Sequence, residues 1–130
     1  MRTQLFSKVK KLVVKVGTSI LTEDGNQLSV SAINNIAEQI SYALKDNKKV
    51  VLVTSGAIGA GMGLLGIESR PRSLPDQQAV AAIGQAHLMR LYGESFKKRG
   101  LLTAQILLTR EDLRDRVRYL NARNTLMTLL

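Results

Sequence analysis

The sequence predicts an α/β fold organised around a parallel β-sheet, and two observations carry that prediction. Residues 11–17 and 50–53 form nearly continuous aliphatic runs, and a segment with helical spacing lies between them. A continuous aliphatic run, unlike an alternating one, is typical of a strand buried on both faces of a parallel sheet. Two such strands joined by one helix form a βαβ unit, in which the strands are parallel and the crossover is right-handed.

The segment between the two strands predicts an amphipathic helix. A polar turn over residues 22–27 precedes this helix, which begins at Ser29 or Ser31, both of them good N-caps. The polar residues 46–49 end it. The apolar residues of the helix recur three or four positions apart and therefore share one face. They are Ile33, Ile36, Ile40 and Leu44.

A run of small residues follows the second strand. We interpret Ser55 as the N-cap of a short helix over residues 56–65, and Gly66 as the residue that ends it. The free N–H groups of Gly56 and Ala57 then point beyond the strand end, where they and the helix dipole favour a carboxylate or a phosphate. Close helix packing is the alternative use of these small residues, and the two uses are compatible.

Residues 61–66 also match the pattern G-x-G-x-x-G, which by itself suggests a dinucleotide site. Its context excludes that interpretation. The pattern does not lie in the first strand-to-helix turn, and Pro71 follows too soon for a long helix to begin at the third glycine. No acidic residue ends the next strand, and no Walker lysine pattern occurs.

Helix start and stop signals divide the second half of the chain. Ser73 and Asp76 resemble a capping box for a helix over residues 76–99, and Gly100 stops that helix. Residues 101–108 predict a third strand. The packing face of the long helix is expected to contain Ala79, Val80, Ile83, Ala86 and Leu91.

Thr109 and Asp112 form a further start signal, which opens a helical region over the last twenty or so residues. Leu113, Val117 and Leu120 recur there at helical spacing. The chain then stops at Leu130 with no cap and no polar tail, so we expect the domain to continue beyond it.

Composition restricts the class of protein. The absence of cysteine excludes disulfides and thiolate metal sites, and it makes the reducing cytoplasm the default compartment. No stretch approaches the roughly 18–20 apolar residues of a membrane span. The net charge of +9 raises the possibility of a nucleic-acid partner. Acidic residues interleave with the basic ones, however, and no group of aromatic residues accompanies them, which favours a solvated surface.

Lys15 is the clearest candidate for chemistry. It interrupts an aliphatic strand, and a buried lysine is costly unless an anion pairs with it. The alternative is an edge strand from which the lysine side chain extends into solvent. Lys15 and the turn 17–19 end the first strand, and Ser55 follows the second. Because parallel strands end at the same edge of a sheet, we expect a cation and two amide-rich turns to meet there.

The other ionisable candidates are weaker. His87 is the single histidine of the chain and lies in mid-helix among apolar residues, so we expect it to pack rather than to act as a base. Asp112 and Asp115 are expected in a cap and on a solvated face. No metal ligands are predicted.

Several of these segments together resemble the amino acid kinase superfamily. The two strand ends, residues 13–19 and 53–58, carry the resemblance to the superfamily as a whole. Three later segments, 82–85, 107–110 and 120–126, resemble the branch that phosphorylates glutamate. The resemblance covers essentially all of the chain, with Asn124 standing where that branch often has aspartate.

The resemblance implies a three-layer α/β/α sandwich with a mainly parallel sheet. It implies transfer of the γ-phosphoryl group of ATP, held with Mg²⁺, to the side-chain carboxylate of L-glutamate, the first step of proline biosynthesis. By position, Lys15 would steady the transferring phosphoryl group. The turn that would face the phosphates comprises Gly17, Thr18 and Ser19, and the residues that would hold glutamate are Ser55, Gly56 and Ala57.

The resemblance also implies what lies outside these residues. Residues 1–130 would be the N-terminal, amino-acid-binding portion of the kinase domain, with the ATP-binding half and any C-terminal RNA-binding-like (PUA) domain absent, and this portion alone is expected to be inactive. A glutamyl-phosphate reductase would act downstream, and the longer protein would be a homo-oligomer. Three alternatives stay open: a carbamate, acetylglutamate or uridylate kinase, a non-catalytic amino-acid-binding module, and a nucleic-acid-binding surface.

Overall fold

The structure is a computed structural model that describes residues 8–23 and 27–130. Two strands and six helices are assigned within those ranges. In chain order they are β1 (Lys11–Val16), α1 (Thr18–Leu21), α2 (Val30–Lys45), β2 (Lys49–Thr54), α3 (Ala57–Leu65), α4 (Leu74–Lys97), α5 (Arg110–Arg114) and α6 (Arg116–Leu129).

Strands β1 and β2 pair in parallel, and α2 connects them. The register aligns Lys11 with Lys49 at one end of the sheet and Val16 with Thr54 at the other. The βαβ unit predicted from the two aliphatic runs is therefore confirmed, and with it the α/β class. Because the strands are parallel and in step, their carboxyl ends lie side by side.

The crossover helix α2 begins where its cap predicts. Ser29 is the N-cap, and its Oγ accepts a hydrogen bond from the backbone N–H of Ala32 at 3.3 Å. The predicted apolar face is also confirmed, since Ile33 and Ile40 are buried and the other two residues are packed against the same core. Residues 24–26 of the predicted polar turn lie outside the described residues.

The prediction that both strands are buried on both faces is wrong for the described residues. Val14 and Leu52 face the hydrophobic core, together with alternate residues of the same strands. Val13 and Val53 face the other way and are 71% and 47% exposed. The packed helices α2 and α4 cover one face only, so the two aliphatic runs alternate in burial although they do not alternate in residue type.

Helix α4 contributes Leu88, Tyr92 and Phe96 to the hydrophobic core. Ser73 is its N-cap, as predicted, and accepts a hydrogen bond from the backbone N–H of Asp76 at 3.1 Å. The predicted packing face is only partly correct, because Ala79, Ile83 and Ala86 are exposed. The buried residues instead follow a spacing of mostly four residues, because α4 packs against both α3 and α2. They are Val80, Gly84, Leu88, Tyr92, Ser95 and Phe96.

The predicted third strand is absent from the described structure. Residues 101–108 carry no strand assignment, and Leu102 and Leu107 are 101% and 72% exposed. Only Leu101, at the start of the segment, packs against the core. A strand needs a neighbouring backbone to exchange hydrogen bonds with, and neither β1 nor β2 pairs with this segment.

The helical region predicted after Thr109 is confirmed, as two helices rather than one. Asp115 separates them, ending α5 and capping α6 by accepting a hydrogen bond from the N–H of Arg118 at 2.9 Å. The expectation that Asp112 and Asp115 serve as a cap and on a solvated face is thereby confirmed. No helix of the described ranges is long and apolar enough to cross a membrane.

The capping box of α5 leads to a prediction about pH. The hydroxyl and the backbone N–H of Thr109 donate hydrogen bonds to the Asp112 carboxylate, and these lower the pKa of Asp112 below its ordinary 3.8. Because this pKa is lower in the folded state than in the unfolded chain, the ionised carboxylate stabilises the cap at pH values above the unfolded-state pKa. This contribution is lost as the pH falls through the folded-state pKa. We therefore expect α5 to lose helical structure below about pH 4.

An NMR titration of the Asp112 carboxyl group measures its pKa directly. Replacing Thr109 with alanine removes the hydroxyl donor and should move the pKa of Asp112 back towards its ordinary value. An unchanged titration in Thr109→Ala would show that the cap does not set this pKa.

Candidate functional site

The two strand ends are joined by side chains as well as by the sheet. The backbone N–H and the Oγ of Ser55 both donate hydrogen bonds to the carbonyl oxygen of Val16, each at 3.1 Å. The Oγ1 of Thr18 in turn donates to the Oγ of Ser55 at 3.2 Å. The turn after β1 and the turn after β2 therefore form one continuous surface, as the sequence predicts.

Ser55 is not the N-cap of the following helix, which corrects the prediction. Its hydroxyl is engaged with Val16, and Gly56 is the N-cap instead, with φ 107° and ψ 0°. This left-handed conformation suits glycine, and the residue is buried, with Leu21 Cδ1 3.4 Å from the position a Cβ would take. The other end of α3 is as predicted, because Gly66 ends the helix with φ 65°.

The start of α3 opens at the carboxyl edge of the sheet. No side chain among the described residues caps it. The first N–H groups of a helix have no acceptor within the helix, and the helix dipole adds partial positive charge at this end. Ala57 begins the helix directly beside the β2 strand end, so this end offers donors suited to a carboxylate or a phosphate.

Lys15 is exposed, and this changes the argument for a functional role of its side chain. The costly buried lysine considered from the sequence is not found, because the face of β1 that carries Lys15 is uncovered in the described residues. Its position supports a role in the site all the same. Lys15 Nζ lies 3.8 Å from where a Cβ of Gly17 would stand, so the ammonium group lies against the turn that ends β1.

The turn after β1 contains the three predicted phosphate-facing residues. Gly17 is the N-cap of α1 with an extended backbone, and Thr18 and Ser19 are exposed within that helix. Only Thr18 makes a described side-chain contact with the other turn, through Ser55. Lys15, these three residues and residues 55–57 are thus grouped at one edge of the sheet.

The features set aside in the sequence have structural roles. The G-x-G-x-x-G residues lie inside α3 and at its end, where Gly61 lies against the backbone of Val80. His87 Nδ1 lies 3.1 Å from Arg90 Nη2 of the same helix. In residues 8–23 and 27–130, no group of three or more His, Cys, Asp or Glu side chains is arranged to hold a metal ion.

Sequence reasoning missed one contact to the site. The hydroxyl of Tyr92 in α4 lies 3.1 Å from Thr54 Oγ1, at the last residue of β2. Burial raises the pKa of Tyr92, so the phenol stays protonated at neutral pH. The available signal was the four-residue spacing from Leu88, which places Tyr92 on the buried face of α4.

Comparisons with known proteins place the sequence in one family. Residues 10–130 match the sequence profile of the Amino acid kinase family. Glutamate 5-kinase of Pelobacter propionicus is 51% identical over 130 residues, which are the whole chain and 35% of that protein. Glutamate 5-kinase of Moorella thermoacetica is 50% identical over 95% of the chain and 33% of its own length. Glutamate 5-kinase of Burkholderia thailandensis is 54% identical over 93% of the chain and 32% of its own length. The chain therefore spans about a third of the length of these relatives.

Proposed function

Because the chain belongs to the amino acid kinase family, we propose that its two strand ends bind the acceptor and the transferring phosphoryl group of an ATP-dependent kinase. We propose L-glutamate as the acceptor and L-glutamyl 5-phosphate as the product, formed in the first step of proline biosynthesis. The identity of about 50% to three glutamate 5-kinases supports this choice. The activity belongs to a longer protein of which these residues are the N-terminal, amino-acid-binding portion.

The observation that carries the proposal is the grouping of Lys15 with two turns at one edge of a parallel sheet. In the proposed roles, Ser55, Gly56 and Ala57 bind glutamate, with the N–H groups at the start of α3 facing a carboxylate. The turn 17–19 faces the phosphates, and Lys15 compensates the charge that develops on the transferring group. Open α/β sheets bind ligands at the carboxyl ends of their strands, which supports this placement.

These residue types suit phosphoryl transfer to a carboxylate. The acceptor is already ionised at neutral pH, so the reaction needs neither a general base nor a nucleophilic side chain. Catalysis then depends on alignment of the two substrates and on electrostatic stabilisation of the phosphoryl oxygens. A lysine and backbone N–H groups supply both the alignment and the electrostatic stabilisation.

The remaining parts of the proposal concern partners and compartment. ATP is the phosphoryl donor, and Mg²⁺ is proposed to be held with the nucleotide. A glutamyl-phosphate reductase would consume the labile product, and a homo-oligomer is proposed for the longer protein. The lack of cysteine supports a cytoplasmic location.

A panel of acceptors tests the function. A full-length protein carrying this segment should form γ-glutamyl hydroxamate from glutamate, ATP and hydroxylamine. Acetylglutamate, carbamate and uridylate should give no ATP-dependent product. Phosphorylation of uridylate but not of glutamate would replace the proposed acceptor.

The chain of 130 residues gives a second test. We expect it to show no ATP-dependent turnover by itself, because it spans only about a third of the length of its relatives. The same hydroxamate assay measures this, with the full-length protein as the positive control. Turnover by the chain alone would show that these residues contain the ATP site as well.

A further inference from the structure

Tyr92 lies outside both turns of the candidate site, yet its hydroxyl reaches the end of β2. The side chain is 2% exposed, and its ring stacks against Phe96 with ring centroids 6.3 Å apart. Its hydroxyl lies 3.1 Å from Thr54 Oγ1. Packing alone does not require a hydroxyl there, because a phenylalanine ring would fill the same space.

The hydrogen bonds around Thr54 define which group donates. Thr54 Oγ1 donates to the carbonyl oxygen of Ser55 at 3.2 Å. A threonine hydroxyl carries a single proton, so while Thr54 donates to the Ser55 carbonyl oxygen, the hydroxyl of Tyr92 is the donor in its bond to Thr54. The result is a directed chain of hydrogen bonds from Tyr92 through Thr54 to the Ser55 carbonyl group.

The Ser55 carbonyl group, at which these hydrogen bonds end, fixes the direction of a backbone donor of the site. The carbonyl group of Ser55 and the N–H of Gly56 belong to one planar trans peptide, and they point in opposite directions. Holding the Ser55 carbonyl oxygen towards Thr54 therefore holds the Gly56 N–H pointing away from Thr54. Gly56 itself imposes little restraint on the peptide, because glycine adopts many backbone conformations.

We propose that Tyr92 is a positioning residue for the acceptor-binding turn, acting through Thr54 to orient the Ser55–Gly56 peptide. The part played by Gly56 in binding the acceptor carboxylate rests on the proposed function. The effect of Tyr92 on the peptide does not, so the two can be tested separately.

The first test measures the order of the peptide in the chain itself by ¹⁵N relaxation. Tyr92→Phe keeps the ring and removes the donor, and we expect the Gly56 order parameter to fall from about 0.85 to below about 0.6. Tyr42→Phe is the matched control, since Tyr42 is exposed in α2 and its hydroxyl donates to Glu38. An unchanged order parameter in Tyr92→Phe overturns the proposal.

Thr54 variants test the middle of the chain of hydrogen bonds. Thr54→Ser keeps a hydroxyl and should keep Gly56 ordered, whereas Thr54→Val should disorder it as Tyr92→Phe does. Combining Thr54→Val with Tyr92→Phe should add nothing, because both break the same connection. Additive effects would mean that the two side chains act independently, against the proposal.

The second test uses kinetics of the full-length kinase. Tyr92→Phe should raise KM for glutamate about three- to tenfold, the size expected for one misplaced hydrogen-bond donor, and leave KM for ATP unchanged. A parallel rise in both KM values would indicate a general structural effect and overturn the positioning role. If the unsubstituted protein does not phosphorylate glutamate, the proposed function fails, and the relaxation experiment still decides whether Tyr92 orients the peptide.

Discussion

Replacing Gly84 with alanine is expected to destabilise the fold by more than about 3 kcal/mol, at the upper end for overpacking of a well-packed core. Gly84 lies in α4 where α3 crosses it. A Cβ there would overlap the carbonyl oxygen of Ala57 and the amide nitrogen of Gly61. Both are backbone atoms of α3, so neither can be relieved by a change of rotamer, and the two helices would have to separate.

A second glycine of the same helix provides the control. A Cβ on Gly93 would have its nearest neighbour, Thr103 Oγ1, at an ordinary 3.7 Å. Gly93→Ala should therefore stabilise the helix by about 0.5–1 kcal/mol, since alanine loses less conformational freedom than glycine. Urea unfolding of both variants measures the difference. Equal midpoints for Gly84→Ala and Gly93→Ala would show that the helix crossing tolerates a side chain.

The Gly84 substitution also bears on the candidate site. The carbonyl oxygen it would displace belongs to Ala57, the first residue of α3. A shift there moves the N–H groups that we propose face the acceptor carboxylate. We therefore expect any Gly84→Ala protein that still folds to bind glutamate more weakly than the Gly93→Ala protein.

If the proposed function holds, Lys15→Ala is expected to lower kcat of the full-length protein about 10²–10³-fold, as removal of one preorganised electrostatic group does in other enzymes. In the proposed mechanism, Lys15 is a side-chain cation placed at the turn that faces the phosphates. Its loss leaves the charge on the transferring phosphoryl oxygens uncompensated. Because Lys15 is exposed, stability should change little.

Lys11 is the matched control for this substitution. It lies in the same strand, four residues earlier, at the amino end of the sheet beside Lys49. Lys11→Ala removes an exposed positive charge from β1 without touching either turn, so kcat should be unchanged. Steady-state kinetics and a thermal melt of both variants decide the matter. Unchanged turnover in Lys15→Ala would show that the catalytic role is assigned to the wrong residue.

The sequence predicted the elements whose ends depend on local chemistry. Ser29, Ser73 and Thr109 cap their helices because each hydroxyl finds a backbone N–H only three residues further along the chain. The parallel βαβ unit was also predictable, because strand–helix–strand order permits few topologies. This unit brings Lys15 and Ser55 to the same edge of the sheet, so the position of the candidate site followed from sequence too.

The predictions that failed depended on distant contacts. Ser55 looks like an N-cap, but its hydroxyl bonds to Val16, 39 residues away, and Gly56 takes its place. Residues 101–108 have the composition of a strand, yet a strand exists only where another backbone pairs with it. The exposed positions on α4 looked suited to packing, and packing against α2 and α3 placed a different face in the core.

The sequence by itself thus determined the class of fold, the starts of α2, α4 and α5, and the strand ends at which Lys15 and two small-residue turns share one edge of the sheet. Each of these rests on interactions within a few residues or on chain order. Only the tertiary structure decided that Gly56 caps α3 and that Tyr92 reaches Thr54. Those outcomes depend on which hydrogen-bond partners and which backbone lie close in space, and spacing along the chain does not encode that.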